Sequence, residues 1–239
     1  MIVLDLGRRP YLEVWELQRR LAFLRHRAAI PDLLLLVEHD PVITLGKMAG
    51  EENIVASQGD LARLGVGVYR SDRGGDVTFH GPGQLVAYPI MDLSVRGKDA
   101  HGYCRDLEEV GLEILRDYGL EGRRVKGLTG VWVGKEKVMA IGVAIRRWIA
   151  YHGLALNVNV DLEWFRLIHP CGIKDGWVTS LRQLLGRQIP WPEVKDKMVH
   201  RFSTVFEVNW DRMELEQLEE ALRHVGQEAP LVGAKGTSS

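Results

Sequence analysis

A chain of 239 residues with 46% hydrophobic and 26% charged residues can bury one large core beneath an ordinary polar surface. Its formal net charge of −1 offers no basic excess to neutralise phosphates, which excludes a general nucleic-acid binder. Two cysteines, Cys104 and Cys171, are too few for a disulfide framework or a cysteine-rich zinc site and fit a reducing compartment. No basic region followed by a long apolar one opens the chain, and no apolar run approaches a membrane span. The expectation is a soluble cytoplasmic protein with neither membrane nor nucleic acid as partner.

Residues 2–6 predict a short strand. Pro10 then opens a helical pattern with Tyr11, Val14, Leu17, Leu21 and Leu24 on one face. Residues 32–37 form an apolar run bounded by Pro31 and Glu38, expected as a central strand, and His39-Asp40-Pro41 turns the chain into a further strand over 42–45. A short helix is expected over 57–64, with Ser57 as N-cap, Asp60 in its first turn and Gly65 beyond its end. Strand character resumes over 66–70.

The segment SDRGGDVTFHGPGQLVAYPI, residues 71–90, has the most unusual composition in the chain. Its glycines would let a ligand lie against backbone N–H groups, yet it matches neither the phosphate-binding loop nor the dinucleotide fingerprint. The plainer reading is a glycine-rich hairpin in which His80 merely caps a turn. An amphipathic helix follows over 100–118, with Tyr103, Leu107, Val110, Ile114 and Tyr118 inward and Cys104 near that stripe as a small core residue.

The stretch from 131 to 174 holds the chemistry. Two apolar runs, 130–134 and 138–145, flank Lys135-Glu136-Lys137 as a tight hairpin. Residues 153–160 alternate, with Leu154, Leu156, Val158 and Val160 on one face and Ala155, Asn157 and Asn159 on the other, the period of a half-buried strand with a polar second face. Pro192 begins a helix with Val194, Met198, Phe202 and Val205 inward, residues 214–223 suggest an exposed final helix, and a mobile tail is expected over 227–239. Strands and helices alternate in the first half and the middle is an antiparallel meander. This predicts an α/β fold of α+β type, with a mixed, largely antiparallel sheet flanked by helices.

Cys171, between Pro170 and Gly172, is the candidate nucleophile, because a thiolate attacks carbonyls readily when a base or cation lies nearby. Lys137, His80 and His152 are its possible partners, and spacing does not choose among them. A buried structural cysteine and a turn lysine remain the plainer alternatives. His169 and Cys171 stand two apart, but no zinc-binding motif surrounds them and no metal is expected. Arg123, Arg124 and Lys126, with Arg146 and Arg147, could receive an acidic protein or simply form a solvated face.

Together, SDRGGDVTFHGPGQLVAYPI, KVMAIGVAI, YHGLALNVNVDLEWFRLIHPCGI and VTSL resemble the lipoyl(octanoyl) transferase family in the same order, over roughly residues 34–184. The resemblance implies a fold similar to biotin and lipoate protein ligase catalytic domains, in a single acyltransferase domain over 1–210 followed by a helix and tail over 211–239. It implies a Cys/Lys dyad of Cys171 in PCGI and Lys137 before the V-x-A-I-G strand. Arg73, Gly74, Gly75, His80, Gly81 and Gln84 would line the acyl pocket, with Ala140, Ile141 and Gly142, and with His152, Gly153, Leu154, Ala155 and Asn157. Val138, Ala140 and Gly142 would leave room for the chain. His169 departs from the family, which more often has an apolar or small residue there.

The activity implied is transfer of an octanoyl group from acyl-carrier protein to a lysine of lipoyl domains, through a cysteine thioester. Those domains belong to 2-oxoacid dehydrogenase complexes and the glycine cleavage H protein, and neither ATP nor another cofactor would be required. An ATP-dependent lipoate or biotin ligase is the alternative on the same fold, although HGPGQ stands where a longer glycine run and His-Asp would be expected. A non-catalytic lipoyl-domain-binding or carrier-binding module is the alternative from another class.

Overall fold

The computed structural model describes residues 1–169 and 178–225. In chain order the first elements are β1 (Ile2–Arg9), α1 (Tyr11–His26), β2 (Leu33–His39), β3 (Val42–Leu45), α2 (Gln58–Leu64), β4 (Gly67–Arg70), β5 (Val77–His80) and β6 (Gln84–Asp92). There follow α3 (Ala100–Asp117), β7 (Gly122–Val125), β8 (Leu128–Val133), β9 (Glu136–Arg146) and β10 (Ile149–Asn157). The last are α4 (Leu181–Leu185), α5 (Trp191–Phe206), β11 (Asp211–Arg212) and α6 (Leu215–Val225).

Among the described residues, eight strands form one sheet in the order β11-β1-β2-β6-β10-β9-β8-β7, and β4-β3-β5 form a second. Pairing is parallel at β11-β1-β2 and antiparallel from β2 to β7, the mixed, largely antiparallel sheet expected. The apolar run of β2 is explained by cover on both faces. Leu34 and Leu36 enter the core beneath α3 and α5, whereas Leu33, Leu35 and Val37 enter the core beneath α1 and α6. Helix α2 keeps its expected signals: Ser57 Oγ accepts from Asp60 N–H, and Gly65 ends the helix at φ 67°.

Three expectations are corrected. Strand β10 has no solvated polar face, because it is buried along its whole length with α1 packed over the side that carries Ala155. Helix α6 is not simply exposed: Leu218 and Leu222 are buried against the α1 side of the sheet. Val138 does not open room for a ligand; it is fully buried in the opposite core. The tail beyond residue 225 lies outside the described residues.

Candidate active site

A cavity of about 320 Å³ lies on the α1 side of the large sheet, where the helix no longer covers it. Its floor is β6, β10 and β9, and the 71–80 segment walls it opposite. Of the expected pocket residues, Arg73, Gly75, His80, Gln84, Ala140, Ile141, Gly142, His152, Gly153, Leu154, Ala155 and Asn157 line it, as does Lys137. Gly74 instead ties the loop to the sheet, its N–H donating to Val143 O at 2.8 Å. Gly81 packs against the Phe79 ring, where an added Cβ would come within 2.6 Å. Cys171, with Pro170 and Gly172, lies outside the described residues.

A β-bulge brings Lys137 to the cavity. Trp132 pairs with Lys137 and Val131 with Met139, so Val138 is the extra residue. Strict alternation would put Lys137 on the Met139 face, in the core. The bulge sends Val138 and Met139 inward together and turns Lys137 to the side of Ala140 and Gly142. Lys137 Nζ donates to Thr129 O at 3.3 Å and sits 4.9 Å from the Trp132 ring centroid, a cation–π position. Gly130, at φ 129°, leaves space for its stem: a Cβ there would meet Met139 O at 2.5 Å and Lys137 Cε at 3.4 Å. The buried Glu108 holds Gly130 by accepting its N–H at 3.0 Å.

The residues flanking 170–177 are held by backbone pairing, and Val178 among them lines the cavity. Ile168 bridges Ile54, and His169 N–H donates to Asn53 O at 2.8 Å. Val178 bridges Lys137 in parallel, and Thr179 N–H donates to Lys137 O at 3.0 Å.

At the other end of the cavity stands His152. Pairing sets His152 opposite Val143 and Leu156 opposite Met139, so His152 and Asn157 are separated by about 17 Å along the strand at ~3.3 Å per residue. His152 takes a φ of 56°, and its N–H leaves the ladder to donate to Gln18 Oε1 at 2.8 Å. Its Nε2 lies 2.8 Å from Asp72 Oδ1, a carboxylate that also accepts from Trp15 Nε1 and Tyr151 Oη. Burial opposes ionisation of Asp72, but these three donors outweigh it and hold the carboxyl well below its usual range. Burial also pushes His152 below its ordinary value, against the raising influence of Asp72. The pair thus has ion-pair geometry but is a neutral imidazole donating Nε2–H to a carboxylate.

His80, which lines the cavity, and His39 beside it are also neutral. Burial first, and then the nearby His39, lower His80 to about 3. Burial lowers His39 to about 4, although its bond to Arg9 O works the other way. His39 Nε2 accepts from Tyr88 Oη at 2.9 Å, and the Tyr11 ring stacks on His80 at 6.2 Å. Arg73 is buried and donates to Thr44 Oγ1, Thr44 O and Gly74 O. Gly142 gives it room, since a Cβ there would lie 3.1 Å from Arg73 Cδ.

Sequence reasoning assigned Tyr11 to the core and passed over Gln18, Thr44 and Tyr88. Gln18 alone carried a readable signal, a polar residue at buried helical spacing between Val14 and Leu21. Of the basic clusters, Arg124 is engaged by Glu108 and Glu109. Among the described residues no three His, Cys, Asp or Glu side chains converge as a metal site, and no helix is long and apolar enough to cross a membrane.

The family model of the lipoyl protein ligase A/B catalytic domain matches residues 10–203. An octanoyltransferase of Rubrobacter xylanophilus is 55% identical over 201 residues, covering 83% of this chain and 90% of its own. A lipoate-protein ligase A crystallised with ATP shares the fold at a TM-score of 0.71 and 19% identity, covering 93% of this chain and 92% of its own. A biotin protein ligase of Aquifex aeolicus does so at 0.50 and 14% identity, over 86% of this chain and 68% of its own. The chain belongs to the lipoyl protein ligase A/B catalytic domain family. Within that family it is an acyltransferase of the octanoyltransferase branch.

Proposed function

We propose that this enzyme transfers an octanoyl group from acyl-carrier protein to a lysine of a lipoyl domain, through a thioester on Cys171 and without ATP. The observation that carries the reading is the cavity: an apolar slot of about 320 Å³, within the range of roughly 300–1,000 Å³ usual for small-ligand sites, with the Lys137 amine at one end. The chain leaves Cys171 and returns at Val178, directly against the Lys137 backbone. Small residues Ala140, Gly142, Gly153 and Ala155 floor the slot.

In the first step the Cys171 thiolate attacks the thioester carbonyl of octanoyl-phosphopantetheine, with backbone N–H groups near Cys171 and the glycine-rich loop stabilising the oxyanion. The carrier's C–S bond breaks, and its thiolate leaves with a proton from the Lys137 ammonium. In the second step the amine of the acceptor lysine attacks the Cys171 thioester. An amide forms, the Cys171 C–S bond breaks, and Lys137 recovers the proton the amine loses. Both groups end as they began. Because the donor is already a thioester, no nucleotide is consumed.

Incubation with octanoyl-acyl-carrier protein in ATP-free buffer should give one octanoyl adduct by intact mass, retained in Cys104→Ala and absent from Cys171→Ala. Transfer to a lipoyl domain that appears only with ATP and free octanoate would establish the ligase alternative.

A further inference from the structure

A buried hydrogen-bond chain crosses the cavity floor toward Lys137. His80 Nδ1 lies 2.7 Å from Gln84 Oε1, Gln84 Nε2 donates to Asn157 Oδ1 at 2.9 Å, and Asn157 Nδ2 donates to Thr179 O at 2.9 Å. Thr179 N–H then donates to Lys137 O at 3.0 Å. His80, Gln84, Asn157 and Thr179 are all buried. One backbone atom sets the direction of the whole chain. The Thr179 carbonyl can only accept, so Asn157 must present its amide nitrogen there and its oxygen to Gln84. Gln84 must then present nitrogen to Asn157 and oxygen to His80, which leaves His80 to donate from Nδ1.

We infer that Asn157 is a positioning residue, the link through which this chain holds the Lys137 backbone and the segment returning at Val178 in register for acyl transfer. The inference rests on the proposed octanoyl transfer, and it gives Gln84 and Asn157 a role other than contact with the acyl chain. Each link from His80 to Thr179 pairs a donor with an acceptor, and removing one amide nitrogen leaves a buried carbonyl unmet. That displaces reacting groups, and misplacement by about 1 Å costs on the order of 100-fold in rate.

Asn157→Asp and Gln84→Glu test this through pH. In Asn157→Asp the new carboxyl, while protonated, can still donate to Thr179 O; once ionised, it sets a carboxylate against that carbonyl. Burial raises the pKa of such a carboxyl, so the break falls on the alkaline side of an ordinary aspartate. Ionisation of the carboxyl introduced by Gln84→Glu likewise removes the donor to Asn157. Octanoyl-adduct formation in each folded variant should fall about 10- to 100-fold as pH rises, with KM for the carrier little changed and no such fall in the wild type. Folding is checked by circular dichroism, and either folded variant decides if the other fails. Wild-type rates and pH profiles in the variants, a loss equal at every pH, or failure of both to fold would overturn the inference. A wild-type chain that forms no adduct would instead defeat the proposed function.

Discussion

At the Lys137 end of the cavity, position is set by the bulge in β9 and by backbone pairing. The amine rests on Thr129 O and the Trp132 ring, and the strand beneath it is held through the Thr179 N–H. At the His152 end a carboxylate gathers Trp15, Tyr151 and a neutral imidazole, and Gln18 holds the backbone. The first arrangement is built on a strand irregularity that turns one amine toward the cavity. The second fixes charge in place, since Asp72 stays ionised and His152 stays neutral. The two ends of one slot are thus built differently, by strand register at Lys137 and by a shared carboxylate at His152.

Acid is the strongest way to break the histidine wall. His39 at about 4 and His80 at about 3 lie below the ~6.5 of an unfolded histidine. Between those values the unfolded chain binds more protons, so stability is complete above about pH 6.5 and declines as pH falls toward 4 and 3. Each histidine contributes a slope of up to about 1.4 kcal/mol per pH unit. Urea unfolding at pH 7, 6 and 5 should show a progressive loss, reduced in His39→Gln. A flat profile from 7 to 5 would mean that these histidines are not held neutral.

A smaller effect is expected from Asp72→Asn. Hydrogen bonds to a charged group are worth roughly 1.5–3 kcal/mol, and the partial exposure of Asp72 reduces this to about 1 kcal/mol. The variant should weaken thermal stability slightly and leave the pH profile of Cys171 alkylation where it was. A shifted alkylation profile would join the two ends into one electrostatic unit.

Local signals were legible where one residue type answers one geometric need. Ser57 and Gly65 bracket α2, and the leucine run of β2 announces a strand covered on both faces. The candidate pocket was legible mainly through the glycine-rich and HGLALN motifs, most of whose residues line the cavity. The bulge at Val138 was not, because an extra residue in a strand leaves the apolar run KVMAIGVAI looking regular while it reverses the face of Lys137. Nor was the burial of Asn157, since alternation cannot distinguish a polar residue facing water from one facing Gln84 and Thr179 O. Leu218 and Leu222 of α6 carry apolar spacing, but the sequence does not name the face of the sheet that receives them.

The central proposal, that Lys137 sets the ionisation and acyl chemistry of Cys171, is tested most directly by the pH profile of iodoacetamide alkylation at Cys171. An opposite charge within about 4–6 Å favours a thiolate. Lys137→Met should therefore move the profile upward and slow alkylation near neutral pH, whereas Lys137→Arg should recover part of the alkylation rate but little octanoyl transfer. A profile that ignores both Lys137 variants and moves instead with His80→Ala or His152→Gln would contradict the account and make the pair cysteine–histidine.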